Sequence, residues 1–215
     1  TTSDSQVMAA RMRELGAGEV MTFPFGLEAM PPPGGPKQPQ LVFANRGLER
    51  VYDPQRVVDV FADLAWHWPE ARLVVANDGS LREAMQRHVQ ALRLADRVTF
   101  TGRLDAATQA RWYDQAQWYL SLPSSDSVAV SVLEAMAHGC IPLLSDLPAN
   151  RELVRHGDNG WIVGDDALPS ASDLGALLPR AGAIASDNRA WVRQHALFSP
   201  AVQAFVERLR ALGPA

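Results

Sequence analysis

From residue 41 onward the chain repeats one unit, a short apolar run followed by an amphipathic helix, and this alternation leaves few folds open. "LVFAN" (41–45) leads to "PQRVVDVFADLAWHW" (54–68), and "RLVVAN" (72–77) leads to "SLREAMQRHVQALRL" (80–94). "RVTFTG" precedes "DAATQARWYDQA", "WYLSL" precedes "VAVSVLEAMAHG", and "IPLLS" precedes "ANRELVRHG". Runs that are apolar throughout suit strands buried on both faces, as in a parallel sheet covered by helices. The expected fold is therefore α/β, a Rossmann-like doubly wound parallel sheet. After "GWIV" the pattern predicts extra C-terminal helices at about 170–184, 187–196 and 199–212.

The first stretch, "TTSDSQVMAARMRELG", predicts a helix capped by Ser3 or Asp4 and ended by Gly16, and "EVMTFPF" predicts a short strand. "AMPPPGGPKQPQ" (29–40) is too rich in Pro and Gly for a helix or an interior strand and reads as a linker. The chain thus divides into an N-terminal piece with its linker, 1–36, and a main domain, 37–215.

Composition narrows the function. A formal charge of −4 argues against a nucleic-acid partner, though not against a local basic pocket for a small anion. The one cysteine, Cys140, excludes an internal disulfide framework and suits a reducing compartment. No apolar run approaches the roughly 18 residues of a transmembrane segment. None of His67, His88, His138, His156 and His195 forms an H-x-x-x-H or Cys/His cluster, so no zinc site is expected. His138 reads as a cation at a helix C-terminus. G-x-G-x-x-G and G-x-S-x-G are both absent, which removes the dinucleotide fingerprint and the nucleophile elbow. Trp66, Trp68, Trp112 and Trp191 fall on amphipathic helices and read as packing.

Open α/β sheets bind ligands at the carboxyl ends of their strands, where loops run into helix N-termini. The loops to search are 45–53, 77–80, 101–105, 121–130 and 145–150. Their polar residues include Asn45, Arg46 and Arg50; Asn77, Asp78 and Ser80; Thr101 and Arg103; and Ser124, Ser125 and Asp126. In "SDSVAVSVLEAMAHG" (125–139), Asp126 and Glu134 bracket a helix start. Their spacing alone says little, because acidic pairs recur by chance. Their position says more: the backbone N–H groups of Val128, Ala129 and Val130 open that helix and form a ready anion site. Glu134 lies about 6 Å along the helix from Val130, within reach of the hydroxyls of a ligand seated at the tip. Without that ligand, Asp126 is a cap-like residue and Glu134 a solvated one. Arg46 and Arg50 suit a diphosphate, which guanidinium binds bidentately, but would equally serve as surface charge. "NDGS" (77–80) is a turn in which Gly79 allows close backbone approach.

Taken together, "LVVANDGSLREAM", "VTFTGRL" and "SLPSSDSVAVSVLEAMAHGCIPLLSDLPANRELVRHGDNGWIV" resemble the C-terminal, donor-binding domain of a GT-B fold retaining glycosyltransferase, family 4 (glycosyltransferase group 1). The resemblance runs over roughly 41–212, in order and at the family's spacing. It implies that Glu134 holds the nucleotide ribose and that Asp126, where the family carries Glu, contacts the donor sugar. Arg46 matches the diphosphate-binding Arg, whereas the partner Lys is missing and Val51 and Tyr52 stand near its place. Arg50 is the candidate replacement. Val128, Ala129 and Val130 match the amides that meet the phosphates, with Gly79 close by, and the base lies near Thr101 and Gly102, read through backbone groups. Asp126, Arg46 and Glu134 are then the catalytic set.

The implied activity is sugar transfer from a nucleotide diphosphate donor with retention, needing neither metal nor cofactor. The implied partners are the nucleotide-sugar donor and an N-terminal acceptor domain of which 1–36 is a remnant. This makes the chain a fragment expected to be inactive alone, from a cytoplasmic protein for which peripheral membrane association is an option. The alternatives are a non-catalytic nucleotide-sugar-binding module, half of a GT-B-type sugar-nucleotide epimerase or phosphorylase, and a purely structural domain.

Overall fold

The fold is known from a computed structural model that describes residues 1–23, 26–164 and 168–211. Thr2–Ser3 (β1) pairs in parallel with Met21–Thr22 (β2), and Gln6–Glu14 (α1) joins them. The main sheet uses Gln38–Ala44 (β3), Arg72–Ala76 (β4), Val98–Gly102 (β5), Ala116–Ser121 (β6), Ile141–Ser145 (β7) and Trp161–Val163 (β8). Pro54–His67 (α2), Arg82–Ala91 (α3), Ala106–Gln115 (α4), Val130–Ala137 (α5) and Pro148–Leu153 (α6) connect these strands. Ala171–Leu177 (α7), Ala181–His195 (α8) and Phe198–Ala211 (α9) complete the chain.

All strand pairings in the main sheet are parallel, in the order β5-β4-β3-β6-β7-β8. That is a doubly wound sheet whose strand order reverses between β3 and β6. Its hydrophobic side chains fall into two layers, one per face. Phe61, Leu73, Trp118 and Leu120 lie in one layer, and Phe43, Tyr113, Tyr119 and Met136 in the other. Every residue of β6 is buried, including the polar Gln117 and Ser121, which accounts for its largely apolar reading.

Several expectations from the sequence need correction. The cap of α1 is Ser5, whose hydroxyl accepts from the Met8 N–H, because Ser3 and its neighbour are drawn into β1. The linker is shorter than 29–40, since β3 begins at Gln38. Pro39 is tolerated there because the register shifts between Gln38 and Val42, and its carbonyl accepts from the Trp118 indole at 2.7 Å. The helices expected at 170–184 and 187–196 meet at a different break. A Ser170–Asp173 capping box starts α7, Pro179 sits in a 3-10 turn at Leu178–Arg180, and α8 then runs without interruption through Asp187. Trp66 is 82% exposed and lies outside both hydrophobic layers, so it is not a packing residue of the core. In the stretch read as a strand, "EVMTFPF", only Met21–Thr22 is extended, and Pro24 and Phe25 lie outside the described residues, as does residue 212 of the last predicted helix.

The N-terminal piece docks on the domain. Both carboxylate oxygens of Glu152 in α6 accept from the first N–H groups of α1, at Gln6 (3.1 Å) and Val7 (2.8 Å). Arg189 of α8 donates to the carbonyl of Pro31 and to that of Ala137, tying the linker to the end of α5. Lys37 closes the same strap with a 2.6 Å bond to the Tyr113 carbonyl, and its ammonium lies 3.7 Å from the Cys140 sulfur.

Burial pushes the Cys140 thiol up to about 11, with Lys37 opposing the shift. A raised thiol pKa stabilises the fold fully below the unfolded value of about 8.5, and that contribution is lost as pH rises through the folded value. The stability advantage of the wild type over Cys140→Ala is therefore expected to shrink between about pH 8.5 and 11, as read by urea unfolding across that range.

Candidate functional site

The loops that follow β3 and β6 flank the point where strand order reverses, and they are joined side to side. Ser124 donates from its backbone N–H (2.9 Å) and hydroxyl (3.2 Å) to the Val51 carbonyl. Above that joint, Arg46 reaches across the crevice. One terminal nitrogen donates to Asp126 at 2.6 Å, and the other donates to the Ser131 hydroxyl in the first turn of α5 at 3.0 Å. Its guanidinium lies 4.4 Å from the centre of the Tyr52 ring, close enough for a cation–π contact worth about 0.5–2 kcal/mol. The Arg46 and Asp126 side chains are 18% and 22% exposed, so the pair is neither fully dry nor freely solvated.

The mouth of α5 sits against this pair. Its N-cap, Ala129, has no side chain able to accept a hydrogen bond, in contrast to Ser5, Asp53 and Asp105 at α1, α2 and α4. Ala129 and the exposed Val130 have the places expected, and the Ala129 carbonyl accepts from Val132 and Leu133. Among the described residues, no protein acceptor lies against the N–H groups of Val128, Ala129, Val130 and Ser131. The Ser127 hydroxyl is buried beside them without a partner among those residues. Arg46 and four outward N–H groups together favour an anion over any neutral group.

Glu134 lies one turn deeper. Its Oε2 accepts from the Tyr113 hydroxyl at 3.0 Å and from Gln109 at 3.3 Å, both on α4. The carboxylate borders a cavity of about 520 Å³, walled by Val130, His138 and strap residues 26–31. Behind it, Asn45 donates to the Tyr113 hydroxyl at 2.8 Å and accepts from the Tyr119 hydroxyl at 2.7 Å. Burial holds both phenols well above their usual pKa, so they remain protonated donors.

Other candidates have different surroundings. Arg50 is exposed in the 3-10 turn Arg50–Tyr52, and neither it nor the exposed Arg103 has an ion-pair partner among the described residues. Gly79 approaches backbone, but that of its own chain: a Cβ there would lie 2.4 Å from the Leu48 carbonyl oxygen. The turn is zipped to Leu48 by two further bonds, Leu48 N–H to Asp78 (3.1 Å) and Leu81 N–H to Leu48 (2.9 Å). Glu49 continues the clasp by accepting from the Ser80 N–H and hydroxyl, bonds that lower its pKa. Thr101 and Gly102 end β5, and the Gly102 carbonyl accepts from Asn77. Gly102 has φ +73°, a backbone that favours glycine. His138 is the C-terminal cap residue of α5, and its Nδ1 lies 2.8 Å from Asp114 Oδ1.

Sequence reasoning missed Tyr113, Tyr119, Gln109 and Ser131. Nothing in linear spacing links 113 to 134, although one tyrosine just before and one within a largely apolar strand signalled buried hydroxyls in need of partners. Among the described residues no group of His, Cys, Asp and Glu could hold a metal ion, and no helix is long and apolar enough to cross a membrane.

Sheet order and crevice together define a Rossmann-like α/β domain with Arg46 and the N-terminus of α5 at its switch point. The glycosyl transferases group 1 family matches residues 28–174, and the chain belongs to that family. It is similar to the alpha-monoglucosyldiacylglycerol synthase of Streptococcus pneumoniae, with 32% identity over 85 residues covering 40% of this chain and 19% of that protein. It is also similar to the phosphatidyl-myo-inositol mannosyltransferase of Mycobacterium tuberculosis, with 30% identity over 135 residues covering 60% of this chain and 34% of the relative. The chain thus matches well under half the length of these relatives. Among solved structures, the pneumococcal O-GlcNAc transferase in complex with UDP and GlcNAc superposes with a TM-score of 0.85 at 13% identity, over 99% of this chain and 45% of that one. The sucrose-phosphate synthase of Thermosynechococcus elongatus gives 0.83 at 20% identity, over 98% and 57%. These likenesses show the shared fold.

The Gly79 contact has a direct consequence. Gly79→Ala must push the Leu48 backbone aside and is expected to cost about 1–3 kcal/mol, read as a lower urea midpoint with an unchanged m-value.

Proposed function

We propose that this chain is the donor-binding domain of a retaining glycosyltransferase of family 4, moving a sugar from a nucleoside diphosphate to an acceptor held outside these residues. The observation that carries the reading is the convergence at one strand-order reversal of the Arg46 guanidinium, the α5 mouth and the Glu134 carboxylate. The diphosphate lies on the N–H groups of Val128, Ala129 and Val130 and on Arg46, with Arg50 as the second cation in place of the family lysine. Charge developing on the leaving diphosphate is offset by these fixed donors, which is electrostatic catalysis without a metal. Glu134 accepts from the ribose hydroxyls, and the base lies toward Thr101 and Gly102, with Gly79 holding the adjoining turn. Asp126 orients the donor sugar and is not a nucleophile. Support also comes from the names of similar proteins, which include a GDP-mannose-dependent transferase and UDP complexes.

In this reading residues 1–36 are the end of an acceptor domain, and the chain alone turns nothing over. The full-length protein is cytoplasmic. A second reading, a non-catalytic nucleotide-sugar-binding module, draws on one observation: Asp126 is committed to Arg46, and Tyr52 stands near the place of the family's second cation. Sugar transfer by the full-length protein separates the two.

Calorimetric titration with UDP, GDP and ADP tests the site. Glu134→Ala is expected to weaken the best of them by about 1–3 kcal/mol through loss of a charge-assisted hydrogen bond. Unchanged affinity removes Glu134 from the site. Asp126→Asn frees Arg46 from its anion and is expected to bind a sugar-free nucleoside diphosphate at least as tightly as wild type, while losing any extra affinity for the sugar-bearing donor. Weaker binding of the sugar-free nucleotide contradicts the competition between Asp126 and diphosphate.

A further inference from the structure

The buried chain behind Glu134 runs in one direction. Tyr119 donates to the Asn45 amide oxygen (2.7 Å), the Asn45 amide nitrogen donates to the Tyr113 oxygen (2.8 Å), and the Tyr113 proton remains for an acceptor beyond. Two acceptors lie in reach, Glu134 Oε2 at 3.0 Å and the Ser131 carbonyl at 3.2 Å. The carboxylate is both nearer and charged, so it takes the proton. Gln109 adds a second donor to the same oxygen at 3.3 Å. Oε1 has no protein partner among the described residues, and the carboxylate borders the cavity of about 520 Å³.

The ring of Tyr113 has little freedom. It is 1% exposed, it meets Phe43 edge-on at 5.0 Å, and the His138 ring stacks on it at 5.4 Å, with His138 itself tied to Asp114. A glutamate on a helix face otherwise samples several rotamers, and holding it in one lowers the entropy cost of binding. We propose that Tyr113 and Gln109 are positioning residues for the ribose-binding carboxylate: they lock Oε2 of Glu134 and leave Oε1 as the face offered to the vicinal hydroxyls of a ribonucleotide. The proposal rests on the assignment of Glu134 to ribose.

The probe is whichever of UDP, GDP and ADP binds tightest, compared with its 2′,3′-dideoxy counterpart and with inorganic pyrophosphate, on this chain. Tyr113→Phe is expected to lower ribonucleotide affinity about 3- to 10-fold, the range for one lost hydrogen bond. It should lower the preference for ribose over dideoxyribose by the same factor and leave pyrophosphate binding unchanged. An unchanged preference in Tyr113→Phe, with Glu134→Ala impaired, overturns the positioning role alone. Equal losses for all three probes also overturn it, since that is the mark of a general structural role. No effect of Glu134→Ala overturns the ribose assignment and this proposal with it. Tyr113→Phe strands the Asn45 amide, so the partly exposed Gln109→Leu carries the same test if the first variant does not fold. A smaller fall in the ribose preference is expected for it, and an unchanged preference overturns the proposal.

Discussion

The arrangement at the mouth depends on β3 and β6 lying side by side while their crossover helices leave in opposite directions. Right-handed crossovers put α2 and α3 on one face and α4 and α5 on the other, so the loops after these two strands cannot be bridged by a helix. A crevice is the geometric result. Arg46 enters it from one side, while Asp126 and the N-terminus of α5 enter from the other. The residues that carry charge in a chain of net charge −4 are thus brought together by topology rather than by proximity in sequence.

Within that crevice each polar side chain is held by partners from other elements. Arg46 is supported by the Tyr52 ring and by two hydrogen bonds, Glu134 by Tyr113 and Gln109, and Asn45 joins the two sides through buried phenols. An unpaired buried amide or phenol costs about 1–3 kcal/mol, so the chain of bonds fixes its own geometry. The Arg46–Asp126 pair is different in kind. Both side chains retain some solvent access, and an anion with more acceptor oxygens at the α5 mouth can compete for the same guanidinium.

Much of the main sheet was legible because strands buried on both faces leave continuous apolar runs. The element boundaries that failed did so for local reasons. Ser3 was claimed by a two-residue strand that only the paired Met21–Thr22 could reveal, and Pro39 was accommodated by a register shift. At the mouth, Arg46, Asp126 and Glu134 could be named from their places at strand ends and a helix start. Their partners could not. Tyr113 and Gln109 act on Glu134 across 21 and 25 positions of sequence, and Gly79, read as an approach for a ligand, is instead filled by the Leu48 backbone. Spacing reports what a helix or strand places on one face, and these contacts join different elements.

The central claim is that a nucleoside diphosphate seats at the reversal of strand order, on Arg46 and the N-terminus of α5. Hydrogen–deuterium exchange of the chain with and without saturating nucleotide reads that directly. The account requires slowed exchange concentrated at the amides of 128–131 and the loop 45–52, with the N-terminal segment and α9 unchanged. Binding that leaves the amides of 128–131 exchanging at their free rate would contradict it.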